Sequence, residues 1–474
     1  MTAAQLITYP DRLAPDLAAL ADLLDGPLHG VFGGVHVLPF FDPIDGADAG
    51  FDPIDHRRVD PRIGTWSDIA RLADERTVMA DLIVNHVSAR SAQFLDVLAH
   101  GRASQHRALF LDPISVFAHS PTPDDLRPIY RPRPTPPLTE YELDDGSRAQ
   151  FWTTFGPDQI DIDVESDAGW EYLVSIIDVM HRNGVSQIRF DAVGYAIKRA
   201  GTSCFMIPDT FEFIERVADE CRTRGIEVLV EVHGHHLDQL AIAKRVDLVY
   251  DFALPPLVLD ALYTGHSDAL RRWIGLRPTN TITVLDTHDG IGVIDVGVDP
   301  LHPDRPGLLE SERIDALVKG IHTRSNGASR QATGAAASNL DLYQVNCTFF
   351  DALGGDERRY LAARLIQLLM PGTPQIYYVG LLAGGNDVDL LSRTGVGRDI
   401  NRHRFDRDEI ASALQRPVVQ QLIELLRWRA SEPAFEGTFE LLDGADHELS
   451  VRWSSEQSSF TAVIDLSTGA FTID

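Results

Sequence analysis

The chain has 474 residues, 44% of them hydrophobic, which is enough to bury one large core or two ordinary ones and marks the chain as globular and not disordered. Its 42 basic against 70 acidic side chains leave a net charge of −28, which repels nucleic acid and anionic membranes and points to small-molecule partners. Three cysteines, Cys204, Cys221 and Cys347, lack CxxC spacing and suggest neither a disulfide framework nor a zinc site.

Short β-rich runs recur in order along the chain: QLITY (5–9), GVHVLPF (34–40), VMADLIV (78–84), QIRFDAV (187–193), EVLVEV (227–232), LVYDFAL (248–254), TITVLD (281–286) and PQIYYV (374–379). Helical patterns separate most of them, among them DLAALADLL (16–24), AGWEYLVSIIDVMHRN (168–183), TFEFIERVADECRTRG (210–225) and YLAARLIQLLM (360–370). This eightfold alternation predicts an α/β fold, a (β/α)8 TIM barrel with its active site at the carboxyl ends of the strands. A doubly wound open sheet is the alternative, but no GxGxxG follows the first strand.

A bare barrel takes about 250 residues, so the excess belongs to insertions and appended parts. The barrel is assigned to 1–84, 166–290 and 355–432. Residues 85–165 form an inserted domain after the third strand, with seven prolines between Pro121 and Pro137. Residues 291–354 form an inserted loop domain after the seventh strand; its segment ATGAAASN has little side-chain bulk to hold one conformation. From 433 to 474, short alternating runs with turn signals predict a small antiparallel β domain. The opening MTAAQLITYPDRL lacks a secretory pattern and no apolar run reaches membrane-spanning length, so the expectation is a cytoplasmic protein.

The fourth run poses a chemical question, because IRFDAV reads as a fully buried strand yet carries an arginine and an aspartate. Alternation places Ile188 and Phe190 on one face and Arg189 and Asp191 on the other. A structural ion pair would satisfy this stretch taken alone. Other strand ends behave alike: DLIVNH carries Asp81, Asn85 and His86, VLVEVHG carries Glu231 and His233, and VLDTHDG carries Asp286, His288 and Asp289. Singly these have bland readings, with His86 a loop histidine, Glu231 a helix cap and Asp289 the start of a turn. Together they converge on one rim. Metal ligation ranks lower because no HxxxH pair supplies a local ligand set.

The segments DLIVNH, IRFDAVGYA, VLVEVH and VLDTHDG resemble the four ordered signature regions of the α-amylase family of retaining glycoside-active enzymes. Longer stretches resemble its sucrose phosphorylase branch: LPFFDPIDGADAGFDPIDH (38–56), IYRPRP (129–134), DTHDGIGVIDVG (286–297), AAASNLDLYQVN (335–346), YYVGLLAGGNDV (377–388) and GRDINRH (397–403). The resemblance implies transfer of a glucosyl unit from sucrose to inorganic phosphate, giving glucose 1-phosphate and fructose. It implies no metal and no cofactor, and it suggests a homodimer.

By the same resemblance Asp191 is the nucleophile, Glu231 the acid/base and Asp289 the transition-state stabiliser. Retaining transfer needs two carboxyl groups about 5–5.5 Å apart, one ionised and one protonated. Arg189 is expected to keep Asp191 ionised, and the apolar VLVEV setting to keep a proton on Glu231. Glucose recognition is implied for Asp48, Phe51, His86, His288 and Arg398, with Arg189, Tyr195 and His233 beside them. Phe51 also reads as core, Arg398 as a surface ion pair and Tyr195 as a packed loop residue. The acceptor side falls to Tyr130 and Arg133 on one loop and to Leu340, Asp341, Tyr343 and Gln344 on another, with Arg133 and Tyr343 meeting phosphate. An arginine suits a dianion because its guanidinium binds bidentately, although Arg133 also reads as a solvated arginine of a proline-rich loop. Gly234-His235-His236 and HRF (403–405) depart from the family pattern, which leaves the acceptor open; related phosphorylases of sucrose 6′-phosphate, glucosylglycerol or glucosylglycerate, an α-glucosidase and a non-catalytic sugar-binding barrel are the rival readings.

Overall fold

All eight runs form strands: β1 (Ala4–Thr8), β2 (Phe32–Val37), β3 (Thr77–Ile83), β4 (Val185–Asp191), β5 (Glu227–Val230), β6 (Leu248–Asp251), β7 (Thr281–Thr283) and β8 (Thr373–Tyr377). Each pairs in parallel with its neighbour in sequence, and β8 returns to β1, closing the barrel. The computed structural model describes residues 3–46, 48–133, 135–299, 302, 304–334 and 344–474. Leu340, Asp341 and Tyr343 lie outside these, as does most of the small-residue segment before them.

Alternation along the strands sorts the barrel into two environments. Ile188 and Phe190 join the apolar layer between strands and helices, while Met79, Leu229, Tyr250, Phe252, Ile282 and Val284 form a separate cluster that fills the lumen. Gln187, on the Arg189 face, accepts a hydrogen bond from Gln5 at 2.6 Å and donates one to Glu227 at 2.9 Å. The barrel is therefore plugged from below, and the site above it has a rigid floor.

The helices bury one stripe each, as their periodicity predicts. In Asp167–Arg182 the stripe is Leu173, Ile176, Ile177 and Met180, and Ser166 caps the helix by accepting from the Gly169 N–H at 3.0 Å. Leu254–Thr264 and Glu357–Leu369 depart from this, both being buried almost all round. In the helix Glu357–Leu369, burial extends to an arginine. Its Arg364 sits on Asp286 at 2.7 Å, and the Leu369 carbonyl accepts from Trp453 of the C-terminal sheet at 2.8 Å. That sheet is an antiparallel meander of β9 (Thr438–Leu442), β10 (Glu448–Ser454), β11 (Ser459–Asp465) and β12 (Phe471–Ile473).

Two long excursions leave the rim, and each is pinched at its base by an antiparallel pair. After β3, His86–Ser88 pairs with Gln159–Asp161, with His86 opposite Asp161; the segment between carries a hairpin of Leu138–Glu142 and Arg148–Trp152. After β7, Ile291–Gly292 pairs with Gln344–Val345. These clamps return both excursions to the catalytic end of the barrel. Cys204, Cys221 and Cys347 are free and buried, and no helix among the described residues is long and apolar enough to cross a membrane.

Candidate active site

Strand register brings the acidic groups together. Arg189 lies opposite Asp81 on β3 and Leu229 on β5, so Glu231, two residues past Leu229, emerges above it on the same face. The β5 ladder stops at Val230 and the β7 ladder at Thr283, short of the runs predicted from composition. Glu231, His233, Asp286, His288 and Asp289 thus ride on chain that has left the sheet for the rim.

One buried guanidinium organises the centre. Arg189, 1% exposed, contacts Asp81, Asp191 at 3.1 Å and Glu231 at 2.5 Å. Asp81 is also held by His36 Nε2 at 3.0 Å. Arg189 lies beneath the cleft instead of lining it, so it supports the carboxylates and offers no open face to the cleft.

The charge balance corrects one expectation. Burial pushes the Asp191 carboxyl well above the usual carboxylate range; Arg189 opposes the rise, and Glu231 and Asp81 add to it. Three carboxylates around one guanidinium carry excess negative charge, which adds to the effect of burial on Asp191. Arg189 therefore does not by itself keep Asp191 ionised, because burial opposes it and its charge is divided among three partners.

Asp289 has the opposite setting. Burial acts to raise its carboxyl, but Arg398 at 2.9 Å and Arg402 outweigh this and hold it well below the ordinary value. Asp48 behaves likewise: burial is overcome by Arg133, 3.0 Å away, and by Arg398 and Arg402. His288 is pushed down to about 3 by burial, so its imidazole is neutral, and it stacks on Phe51 with ring centroids 5.0 Å apart. His86 Nε2 lies 3.0 Å from the Phe51 carbonyl. Phe51 is at once core and cleft wall.

Aromatic rings form another part of the cleft lining. Tyr195 packs against Phe205 at 4.7 Å and Phe155 at 5.1 Å, and stacks toward Tyr130 at 6.3 Å. His233 stacks on Phe252 at 3.8 Å, and its Nδ1 lies 3.2 Å from Asp295. Burial opposes charge on His233, but Asp295 more than offsets that and raises its pKa. Gln344 accepts from the Gly290 N–H at 3.3 Å, which ties the second excursion to the Asp289 turn.

Apart from Arg189, all the predicted site residues that are described line one cleft, which encloses about 980 Å³ including its mouth. Phe155, Phe205 and Ile294 also line it and were not predicted. Phe205 sits between Cys204 and Met206, both with positive φ, in a loop that no periodicity announces. Gly234, His235 and His236 do not line the cleft; His235 Nε2 meets the Pro306 carbonyl at 3.1 Å and His236 packs edge-on against Trp273.

Ligand atoms of Glu231, His233 and Asp289 lie within 4.8 Å of one another, which revives the metal reading. Each carboxylate already faces a guanidinium, and Asp295 favours a proton on His233, so the group is electrostatically matched to a neutral polyol better than to a metal cation.

The profile for the α-amylase catalytic domain matches residues 30–262. The sucrose phosphorylase of Agrobacterium vitis is 55% identical over 474 residues, covering 99% of this chain and 96% of that protein. That of Bifidobacterium adolescentis is 52% identical, covering 97% and 92%. Among solved structures, the sucrose 6F-phosphate phosphorylase of Thermoanaerobacter thermosaccharolyticum superposes with a TM-score of 0.92 at 38% identity, covering 100% of this chain and 95% of that one.

Proposed function

The chain belongs to the sucrose phosphorylase branch of the α-amylase family, and on that premise we propose that it exchanges the fructosyl group of sucrose for inorganic phosphate by double displacement through Asp191. The observation that carries this reading is the pair of carboxylates, Asp191 and Glu231, sharing one guanidinium at the mouth of the barrel, with Asp289 in the same cleft and within 4.8 Å of Glu231.

In the first half-reaction the Asp191 carboxylate attacks the anomeric carbon, the glycosidic C–O bond breaks, and Glu231 gives its proton to the departing fructosyl oxygen. The β-glucosyl ester on Asp191 is then attacked by an oxygen of hydrogen phosphate from the face that fructose left, which restores the Asp191 carboxylate and gives α-D-glucose 1-phosphate, whose remaining P–OH proton passes to the Glu231 carboxylate and resets the acid. Substrate binding completes the proton placement. A glycosidic oxygen accepting from Glu231 stabilises the proton there, and positive charge developing on the sugar ring favours ionised Asp191. Asp289, already ionised, faces the same developing charge. Asp48, Phe51, His86, His288 and Arg398 hold the glucosyl ring, with charged groups for its hydroxyls and the Phe51 ring for its apolar face.

Phosphate must defeat water on the acceptor side. Arg133 supports this role because it already pairs with a carboxylate, Asp48, at the cleft mouth, and a dianion competes for the same guanidinium. Arg133→Ala is expected to lower phosphorolysis by about 10²-fold or more while changing hydrolysis of the same donor less than about 3-fold; rates of glucose 1-phosphate and free glucose release measure both. Equal losses remove Arg133 from the role.

Sucrose incubated with and without phosphate tests the whole reading. Glucose 1-phosphate of the α configuration, formed only with phosphate, is the expected product, whereas full-rate release of glucose without phosphate marks a glucosidase. Turnover of sucrose 6′-phosphate in preference to sucrose favours the activity named for the solved relative. The buried thiols suit a reducing cytoplasm as the place of this reaction.

A further inference from the structure

A buried ammonium outside the cleft ties its walls together. Lys198, 4% exposed, donates to Asn85 Oδ1 at 2.7 Å and to the Tyr195 carbonyl at 2.5 Å, and pairs with Asp161 Oδ2 at 2.5 Å. The three oxygens come from the end of β3, from the closing strand of the first excursion and from the turn after β4. We propose that Lys198 is a positioning residue for glucosyl transfer, an internal cation that sets the place and the hydrogen-bond polarity of the cleft residues adjoining its partners.

Each partner adjoins a residue that lines the cleft. Tyr195 is one directly. Asp161 also accepts from the Thr154 N–H at 3.0 Å and the Thr154 hydroxyl at 2.6 Å, and Thr154 precedes Phe155. Asn85 precedes His86, and here polarity matters. An ammonium only donates, so it requires the oxygen of the Asn85 amide, which turns Nδ2 toward His86 Nδ1, 3.4 Å away. Burial lowers the His86 pKa and keeps the imidazole neutral. A neutral ring that accepts at Nδ1 carries its proton on Nε2, which then donates to the Phe51 carbonyl at 3.0 Å. One lysine thus fixes the His86 tautomer and, through it, the Phe51 segment that lines the same cleft. Without the ammonium, Asp161 keeps its Thr154 donors but loses its counter-ion, and the Asn85 amide is free to invert.

This inference deepens the sucrose phosphorylase reading and rests on it, so wild-type phosphorolysis is measured first. Absence of turnover there sinks that reading before Lys198 is tested. Lys198→Ala deletes the stem beyond Cβ, leaving the outline of n-propylammonium. Its kcat/KM for sucrose is expected to fall at least ~10-fold and to recover at least ~3-fold with millimolar n-propylammonium, but not with sodium chloride or n-propanol at equal concentration. Lys198→Met preserves the packing volume without the charge and is expected to lose as much as Lys198→Ala while still melting cooperatively. Wild-type kinetics in either variant overturns the proposal. So does n-propylammonium that raises the melting temperature of Lys198→Ala without restoring kcat/KM, because that is the signature of a structural staple alone.

Discussion

Asp191→Asn is expected to lower kcat for sucrose phosphorolysis at least ~10⁴-fold and to raise, not lower, the melting temperature near neutral pH. The amide cannot form the glucosyl ester, which accounts for the kinetic loss. The gain in stability follows from charge. Asp191, Glu231 and Asp81 crowd one guanidinium, and burial with these neighbours raises the Asp191 pKa above its unfolded value. A raised acid contributes stability that is complete below the unfolded pKa of about 3.9 and is lost as pH climbs through the folded one. The variant escapes that loss. Its advantage in melting temperature over wild type is therefore largest at about pH 7.5 and shrinks toward about pH 4. Melting curves at both pH values, with rates of glucose 1-phosphate formation, measure the two effects. A variant less stable than wild type at about pH 7.5 contradicts the charge argument, and one that turns over normally contradicts the mechanism.

The same crowding shows why parts of this site were legible in the sequence. Asp191 and Arg189 were found because a strand repeats every two residues, so a charged pair in IRFDAV has to share a face. Glu231 and Asp289 were found because barrel strands end at one rim. The ends themselves were less legible: composition ran β5 to 232 and β7 to 286, whereas pairing stops at Val230 and Thr283. β-branched residues report burial, and the rim segments stay buried after they leave the ladder. Contacts that span the chain left no local trace. Arg133 meets Asp48 across 85 residues, and Lys198 meets Asn85 across 113, because separate excursions fold back over the barrel. The crowding of Asp191 by Glu231 and Asp81 was hidden for the same reason; burial above all, with these two carboxylates adding to it, turns its pKa upward, against the expected direction.

Glu231→Gln separates the two half-reactions. With sucrose, whose fructosyl oxygen needs a proton to leave, kcat is expected to fall at least ~10³-fold. With α-D-glucosyl fluoride, which departs without a proton, the fall is expected to be less than ~10-fold, since Asp191 still attacks. Removing the Glu231 charge takes away one of the influences that raise the Asp191 pKa, so the acidic limb of the rate profile with the fluoride moves to lower pH. The second half-reaction sharpens the contrast. A phosphate dianion attacks the glucosyl ester without surrendering a proton, whereas water requires a base, and Glu231 is that base. The variant turning over glucosyl fluoride should thus favour phosphate over water even more than wild type does, opposite to the shift expected of Arg133→Ala. Equal losses with sucrose and with the fluoride deny Glu231 the acid role. An unchanged phosphate-to-water ratio denies it the base role.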